Sequence, residues 1–597
     1  MAELVADFVL KRLTEWGVHR IYGYPGDGIN AFLGALDRAD GNPELIQVRH
    51  EEMSAFMACG HAKFTGEVGV CLATSGPGAI HLLNGLYDAK LDHQPVVAVI
   101  GQQKRMSLGA SYQQEVDLQV LFTDVSEYVQ TCMEPAQARQ LVDRAMRIAL
   151  DKRAVCTIII PADVQEEKAV ESPPRMHGAV YSSVGYARPR IIPPEAELDR
   201  AAEVLNGAQK VAMLVGQGAL DASEEVEQTA DLLGAGVAKA LLGRTVLPDD
   251  LPFVTGPIGL LGSTASYELM ENCDALLMVG TSFPYAEWLP KEGQAECVEI
   301  DIDASMIGIR YPVDVFLIGD SKATLTELNG RLKRKEDRSW RGTVEANVRE
   351  WWRVLGDRAM MDADPMNPQR VVHELSERLP DDAIVTADSG SSTNWWARQL
   401  RLRRGNMASL SGTLATMGPG TPYAIAAKFA YPDRPVIAFV GDGAFQMNGM
   451  NELLTVKRYY ERWPDQRLIF CVFNNQDLNQ VTWEQRVLSG DPKYPGTQWL
   501  PDFSYAKYAE LVGFKGIYCD NGDEVGDAWQ EALGAGTPVV LEVKVDPEIP
   551  PLPPHIRVEQ MKKMAEAMVK DPERVGVMEK SLLGKLEEFK ESLPGRK

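Results

Sequence analysis

The sequence predicts an α/β protein made of three doubly wound parallel-sheet domains, and three observations carry that expectation. Short apolar runs alternate with helical patterns in three successive blocks, a Pro-rich break follows the first block, and a charged run closes the second. Alternation of this kind implies parallel strands joined by crossover helices. The length, 597 residues, suits three generous α/β units.

In the first block LVADFVLKRLTEWG precedes RIYGYPG, INAFLGALDRA precedes ELIQVRH, and SAFMACGHAKFTG precedes GVCLATSGPG. AIHLLNGLYDAKLD then leads to PVVAVIGQ, and a helix near Ala136–Asp151 leads to CTIIIPADV, so residues 1–166 read as one domain. Pro173, Pro174, Pro189, Pro193 and Pro194 break the rhythm and mark 167–194 as a linker. The second block, 195–335, carries the strands KVAMLVGQG, DALLMVGTSF, CVEIDID and VFLIGD and ends in the charged stretch Arg334–Arg338. A second linker is expected over 336–365. The third block, 366–550, carries AIVTADSG, VIAFVGDG, LIFCVFNN and PVVLEVKVD. The tail, 551–597, is polar, Lys/Glu-rich and helix-prone; within it SLLGKLEEFKESL is amphipathic, which makes lipid contact conceivable, although a packed or solvated tail is the simpler expectation.

Composition excludes several classes. Apolar residues make up 45% and charged residues 24%, which is globular usage. Acidic residues outnumber basic ones, 84 to 61, so the formal charge of −23 repels a phosphate backbone and argues against a nucleic-acid partner. Eight cysteines lie far apart without a CxxC pair and read as buried free thiols of a reducing compartment. With an amphipathic first helix in place of a signal peptide, and no apolar run near the roughly 20 residues of a membrane span, the protein is expected to be cytoplasmic.

The strongest chemical signal lies in the third block. Gly441-Asp442-Gly443 follows the strand PVIAFV, a helix intervenes, and the next strand ends at Asn474-Asn475. A right-handed crossover puts Asp442 and Asn475 at neighbouring strand ends, where ligands bind in open parallel sheets. A carboxylate and a carboxamide oxygen there suit a hard divalent ion that keeps diphosphate oxygens as its other ligands. Gly443 lets the backbone approach a phosphate. Alone, a Gly-Asp-Gly turn signifies little; the Asn pair one crossover later makes it specific.

This constellation resembles the signature of thiamine diphosphate enzymes, and the resemblance covers nearly the whole chain. It implies pyrimidine-binding, central nucleotide-binding-like and diphosphate-binding domains in that order, with Mg²⁺ held by Asp442, Asn475 and the backbone of Asp477. Glu51, after QVRH, stands where the family has the glutamate that hydrogen-bonds the cofactor's aminopyrimidine ring and favours its imino tautomer. Thr74–Gly78 with Pro77, Gln114-Glu115, and Gly23–Gly28 with Gly26 match first-domain active-site segments. Asp388-Ser389-Gly390-Ser391-Ser392 looks like the loop around the diphosphate, together with Gly441, Gly443, Ala444 and Asn479. In SGTLATMGPG, Ala415 and Met417 look like the segment that props the cofactor into its bent shape. The resemblance thus makes Glu51, Gln114 and Met417 the catalytic candidates.

The nearest branches look like pyruvate oxidase and acetolactate synthase. The AIHLLNGLYD helix with His81, DHQPV with His93, and PPLPPHIRVEQ lean towards a pyruvate oxidase that passes electrons to a quinone or oxygen. Glycine turns in the middle block suit a dinucleotide, which here implies FAD at Gly216, Gly218, Thr255, Gly256, Gly280, Thr281, Phe283, Asp301 and Asp320. Two departures stand out: Gln113 replaces the usual aromatic before Gln114, and polar Gln480 replaces an apolar residue before Val481. A pocket lined by Gln113, Gln480 and Val481 implies a 2-oxo acid other than simple pyruvate. A carboligase of the acetolactate synthase type and a non-catalytic cofactor-binding homologue are the alternatives. Because Glu51 and the diphosphate segments lie in different domains, the family implies a homodimer or homotetramer.

Overall fold

The computed structural model describes residues 3–551, 553–555 and 558–570. The first sheet contains β1 (Arg20–Gly23), β2 (Glu44–Gln47), β3 (Gly69–Ala73), β4 (Val96–Gln102), β5 (Tyr128–Thr131) and β6 (Val155–Pro161), ordered β2-β1-β3-β4-β6-β5. The second contains β7 (Val211–Val215), β8 (Gly236–Lys239), β9 (Val254–Pro257), β10 (Ala275–Val279), β11 (Glu296–Asp301) and β12 (Val315–Ile318), ordered β12-β11-β10-β7-β8-β9. The third contains β13 (Ile384–Ala387), β14 (Met407–Leu410), β15 (Val436–Gly441), β16 (Leu468–Asn474), β17 (Lys515–Cys519) and β18 (Val539–Lys544), ordered β14-β13-β15-β16-β18-β17. Every pairing within these sheets is parallel. Central strands such as β4 and β16 are buried at every position, as parallel sheets covered on both faces require.

Counted within each sheet, the first and third share one strand order, whereas the middle sheet has the 3-2-1-4-5-6 order of dinucleotide-binding folds. The expected α/β architecture is therefore the observed one. Strands β5, β8, β9, β14 and β17 fall outside the apolar runs singled out in the sequence, and all but β8 are sheet edges. β5, β14 and β17 are short and partly exposed, so their pattern is weak, and β9 is buried but only four residues long with Gly256 inside it; β8 hides because it carries a buried charge, Lys239.

Residues 171–194 hold neither helix nor strand, but the stretch expected as a second linker differs. It contains the helix Ser339–Ala359, whose Val344, Val348, Trp351 and Leu355 pack into the core of the middle sheet. That stripe follows helical spacing and is masked in the sequence by interleaved Arg and Glu.

The first and third sheets share a core. Phe56, on the helix Glu51–Thr65, meets Tyr423, on the helix Gly420–Ala430, edge to face at 6.4 Å. Gly60 makes this close crossing possible, since a Cβ there would sit 3.0 Å from the Tyr423 ring. All eight cysteines are buried and free. Among the described residues no helix is long and apolar enough to cross a membrane. The helix Val558–Lys570 sets Met564 and Met568 against Trp483 and Val487; the amphipathic stretch SLLGKLEEFKESL lies outside the described residues.

Candidate functional site

In the third sheet the strand order reverses between β13 and β15, so the crevice of the fold opens over their C-terminal ends. Asp388 follows β13, Asp442 follows β15, and Asn475 follows β16. The register pairs Gly441 with Phe473, which brings Asp442 beside the Asn pair. Asp442 is only 3% exposed. Its Oδ1 accepts the Gly443 N–H at 2.8 Å, and its Oδ2 accepts those of Asn475 at 3.0 Å and Gln476 at 2.7 Å. Burial pushes this carboxyl up to about 7 against the pull of those N–H groups. Among the described residues no ion pair reaches it, so its ionised form would be an uncompensated negative charge of the kind a divalent cation offsets.

Asn475 Oδ1 accepts the Asp477 N–H at 3.0 Å. The Asp477 carboxylate turns into the protein, towards Thr482 Oγ1 (2.9 Å), Asn479 Nδ2 (3.2 Å) and Lys493 Nζ (3.3 Å). Asp477 thus has only its main chain left for a metal. Asn479 spends its amide on Asp477 and on the Pro547 carbonyl at 2.7 Å, and is buried. A Cβ at Gly443 would lie 2.7 Å from a Leu478 methyl group, which would have to shift, and 3.6 Å from Met417 Cε. Met417 is therefore beside the Asp442 turn, half-buried, while Ala415 is exposed in a left-handed conformation (φ 52°).

Gly390, at φ +123° and with nothing within 4 Å of the place a Cβ would take, starts the nine-residue helix Ser391–Gln399. Its first N–H groups face clear space, the arrangement by which a helix N-terminus can receive an anion. Ser392 Oγ donates to the Asp388 carbonyl at 3.2 Å, which closes the turn. The Asp388 carboxylate holds the N–H groups of Gly418 (2.9 Å) and Gly420 (3.0 Å), and burial pushes it up to about 7. Gln480 is engaged at both ends, accepting from Asn394 Nδ2 at 2.8 Å and donating to Glu484 Oε1 at 2.9 Å, so it bridges two site helices. Val481 and Gln113 are exposed. The Asn394 bond was not legible in the sequence, since it spans 86 residues, whereas the Glu484 bond joins residues four apart within the helix Asn479–Glu484.

On the first sheet, Glu51 is the first residue of its helix, after the N-cap His50. Its Oε2 lies 2.9 Å from His81 Nδ1, and the His50 and His81 rings pack at 4.3 Å. A Cβ at Gly78 would stand 3.2 Å from Glu51 Oε1, so the glycine keeps that oxygen accessible. His50, Glu51 and His81 bring three ligand-type atoms within 4.8 Å, but a hard Mg²⁺ prefers the oxygen donors of Asp442 and Asn475. Gly26 and Gly28 press on Thr74, whose Oγ1 accepts the Gly28 N–H at 2.9 Å. Gly76 packs on Gln114, whose φ is +62° and whose buried Oε1 lacks a partner among the described residues, a cradle that suits a donor on a bound ring. Pro77 opens the short helix that carries Gly78 and His81.

The middle sheet behaves differently. Gly216 and Gly218 donate their N–H groups to Val279 and Gly280 at 3.0 Å each, and a Cβ at Gly216 would lie 2.4 Å from the Gly280 carbonyl. These glycines allow two turns to touch at the β7/β10 switch point. Thr255 is buried and bonded to the Val237 carbonyl (3.1 Å) and Ser266 (2.8 Å), next to Gly256 at φ +90°. Thr281 Oγ1 accepts the Phe283 N–H at 3.3 Å. Asp301 accepts the Asp303 N–H at 2.9 Å, and Asp320 caps the helix Ser321–Asn329 through Ala323 at 3.0 Å.

Comparison with known proteins matches these parts. Family models for thiamine pyrophosphate enzymes align with residues 4–121 (N-terminal TPP binding domain), 198–328 (central domain) and 388–543 (C-terminal TPP binding domain). A putative thiamine pyrophosphate-containing protein, YdaP, of Bacillus subtilis is 38% identical over 94% of each chain. Pyruvate oxidase of Lactiplantibacillus plantarum is 29% identical over 91% of this chain and 88% of its own. A probable acetolactate synthase large subunit of Methanocaldococcus jannaschii is 31% identical over 92% and 93%. Because the matches follow all three sheets in order, and the outer two cover the strand ends that carry Glu51, Asp442 and Asn475, this chain belongs to the thiamine pyrophosphate enzyme family.

Proposed function

We propose that the protein is a Mg²⁺- and thiamine diphosphate-dependent 2-oxo acid decarboxylase of the pyruvate oxidase type, which passes two electrons to FAD and then to a quinone or oxygen. The observation that carries the cofactor assignment is Asp442, a buried carboxylate with three N–H donors, no ion-pair partner among the described residues, and Asn475 at the adjacent strand end. Bound thiamine diphosphate supplies the electron sink that lets a 2-oxo acid lose CO₂. Asp442, Asn475 and the Asp477 main chain would hold Mg²⁺ against the diphosphate, and the N-terminus of Ser391–Gln399 would take the remaining phosphate charge. Glu51 would hold and release a proton at the cofactor's pyrimidine ring, with His81 orienting its carboxylate.

Two observations support the oxidase type: the dinucleotide-type strand order of the middle sheet and the likeness to a pyruvate oxidase over nine-tenths of this chain. The carboligase reading rests on a likeness of similar strength to acetolactate synthases. Intact Glu51, Asp442 and Asn475 weigh against a non-catalytic homologue. Among the described residues no hydrogen bond joins Glu51 to the Asp442 turn. Exposed apolar side chains flank each region, Ile80 and Tyr112 on one, Met447, Val481 and Trp499 on the other. This supports a homodimer or homotetramer in which a second copy completes each site.

The test is spectroscopic. Purified protein carrying FAD is yellow, and anaerobic addition of a 2-oxo acid bleaches the visible bands if the flavin accepts the electrons. Flavin that stays oxidised while a hydroxy-oxo acid accumulates favours the carboligase, and colourless active protein ends the oxidase reading while leaving the thiamine assignment intact. Donors with polar side chains belong in the assay beside pyruvate, since Gln480 stands at the edge of the site.

A further inference from the structure

A sealed polar cluster lies between the first and third sheets, outside the groups used above. Asp92, fully buried, accepts the Lys63 ammonium at 2.6 Å, the Gly412 N–H at 2.8 Å and the Thr413 N–H at 2.7 Å. Asp88, also fully buried, accepts the Ser411 hydroxyl at 2.6 Å and the Tyr423 hydroxyl. Ser411 Oγ in turn accepts the Thr416 N–H at 3.1 Å, and Lys63 Nζ also donates to the Leu410 carbonyl at 2.6 Å. From a neighbouring turn of the first domain, Asn84 donates to Thr416 Oγ1 at 3.1 Å. Among the described residues, no backbone-to-backbone hydrogen bond anchors 412–418. The segment that carries Met417 therefore hangs on side chains, and most of these belong to another domain.

The electrostatics match a fixed scaffold. Burial alone would lower the Lys63 ammonium, but Asp92 and Asp88 outweigh it and raise it, so it stays charged. Burial likewise opposes ionisation of Asp92, yet Lys63 and the two N–H donors hold its carboxyl below the usual range. Asp88, with a weaker share of Lys63, is pushed up to about 6 by burial. Desolvating an ammonium and two carboxylates costs as much as the pairing returns, and apolar residues of similar volume stabilise a core as well or better. What a buried, fully bonded cluster does supply is one geometry. The cluster also touches the middle domain, where Gln217, inside the Gly216–Gly218 turn, donates to the Asp92 carbonyl at 3.0 Å.

We propose that Lys63, Asp88 and Asp92 are positioning residues for the cofactor-supporting segment Ser411–Gly418, setting the place of Met417 in the third domain from the first domain of the same chain. The proposal rests on the thiamine diphosphate reading of Met417. Its test uses the full-length protein as wild type, Asp92→Asn, and the charge-neutral double variant Lys63→Met/Asp92→Asn, which keeps the volume and removes both charges if the single variant folds poorly. Amide hydrogen exchange is measured by mass spectrometry on cofactor-free protein. Exchange over 411–418 should accelerate roughly 10- to 100-fold while the β16 peptide keeps its wild-type rate. At saturating Mg²⁺ and thiamine diphosphate, near-ultraviolet circular dichroism should show a changed balance of the cofactor's amino and imino tautomers at equal occupancy. A purely structural role does not move that balance. Wild-type exchange over 411–418 in both variants overturns the proposal, and so does uniform acceleration across β13–β18. Wild-type protein that fails to bind thiamine diphosphate overturns the Met417 reading instead, and the exchange measurement still decides the scaffold.

Discussion

The turns after β13 and β15 and the turns after β7 and β10 occupy the same topological place, the crevice where a doubly wound sheet reverses its strand order. They are built from opposite materials. The third-sheet crevice presents two buried carboxylates, Asp388 and Asp442, which among the described residues take their hydrogen bonds from backbone N–H groups and from no cation. The middle crevice presents glycine backbone, packed so closely that Gly216 and Gly280 leave no space for a methyl group. The first kind is polar and carries the cost of desolvation; the second joins its turns through its own N–H groups and carbonyls. Topology offers both crevices, and their linings differ: buried carboxylates in one, close-packed glycine backbone in the other.

The largest expected effect breaks the chemistry and leaves both crevices intact. Glu51→Gln should lower turnover of a 2-oxo acid by roughly 10²- to 10⁴-fold, the loss of a proton-transferring group, while retaining thiamine diphosphate. Turnover near the wild-type value, followed by CO₂ release, removes Glu51 from the mechanism.

The next attacks the third crevice alone. Dialysis against a chelator should release thiamine diphosphate with the metal, and Asp442→Ala should rebind it on the order of 100-fold more weakly in calorimetric titration. Cofactor retained by metal-free protein contradicts the Asp442 assignment. In the middle crevice the counterpart, Gly280→Ala, puts a Cβ 2.6 Å from Gly218 at φ +55°. It should cost about 1–3 kcal/mol of stability, read as a lowered Tm, with no change in thiamine diphosphate affinity. Equal loss of thiamine binding in this variant erases the contrast.

The smallest effect is a pH dependence. Burial holds Asp388, Asp442 and Glu452 at about 7 each, above their unfolded values of 3.8, 3.8 and 4.5. Cofactor-free protein therefore keeps protons that the unfolded chain gives up between about pH 4 and 7. The resulting stability is complete below that window and lost as pH rises through 7. Tm should fall by several degrees from pH 5 to pH 8, and Mg²⁺ with thiamine diphosphate should reverse the fall at pH 8. A Tm that climbs with pH over this range shows that these carboxyls are not held neutral.

The same contrast separates what was legible from what was not. The buried strands β3, β4, β15 and β16 declare themselves as apolar runs, and Gly441-Asp442-Gly443 with Asn475 can be placed at strand ends because both sit where such runs stop. The edge strands β5, β9, β14 and β17 and the helix Ser339–Ala359 do not declare themselves, the strands being too short, the helix too crowded with charge. Gln480 reads as a pocket residue from its polarity, and what only the fold adds is its bond to Asn394, across to the helix Ser391–Gln399.

By itself the sequence determined the α/β architecture, the order of its three sheets, and the residue types able to hold a metal diphosphate, because periodicity and strand-end chemistry are local properties. Only the tertiary structure decided that Lys63, Asp88 and Asp92 reach across to Leu410, Ser411, Gly412 and Thr413, that His81 meets Glu51, and that the middle glycines meet one another. Those partners lie from 30 to more than 300 residues apart in the chain. Their pairing is set by how helices and turns pack over neighbouring sheets, and a buried charge finds its partner through desolvation, a force that no stretch of sequence carries alone.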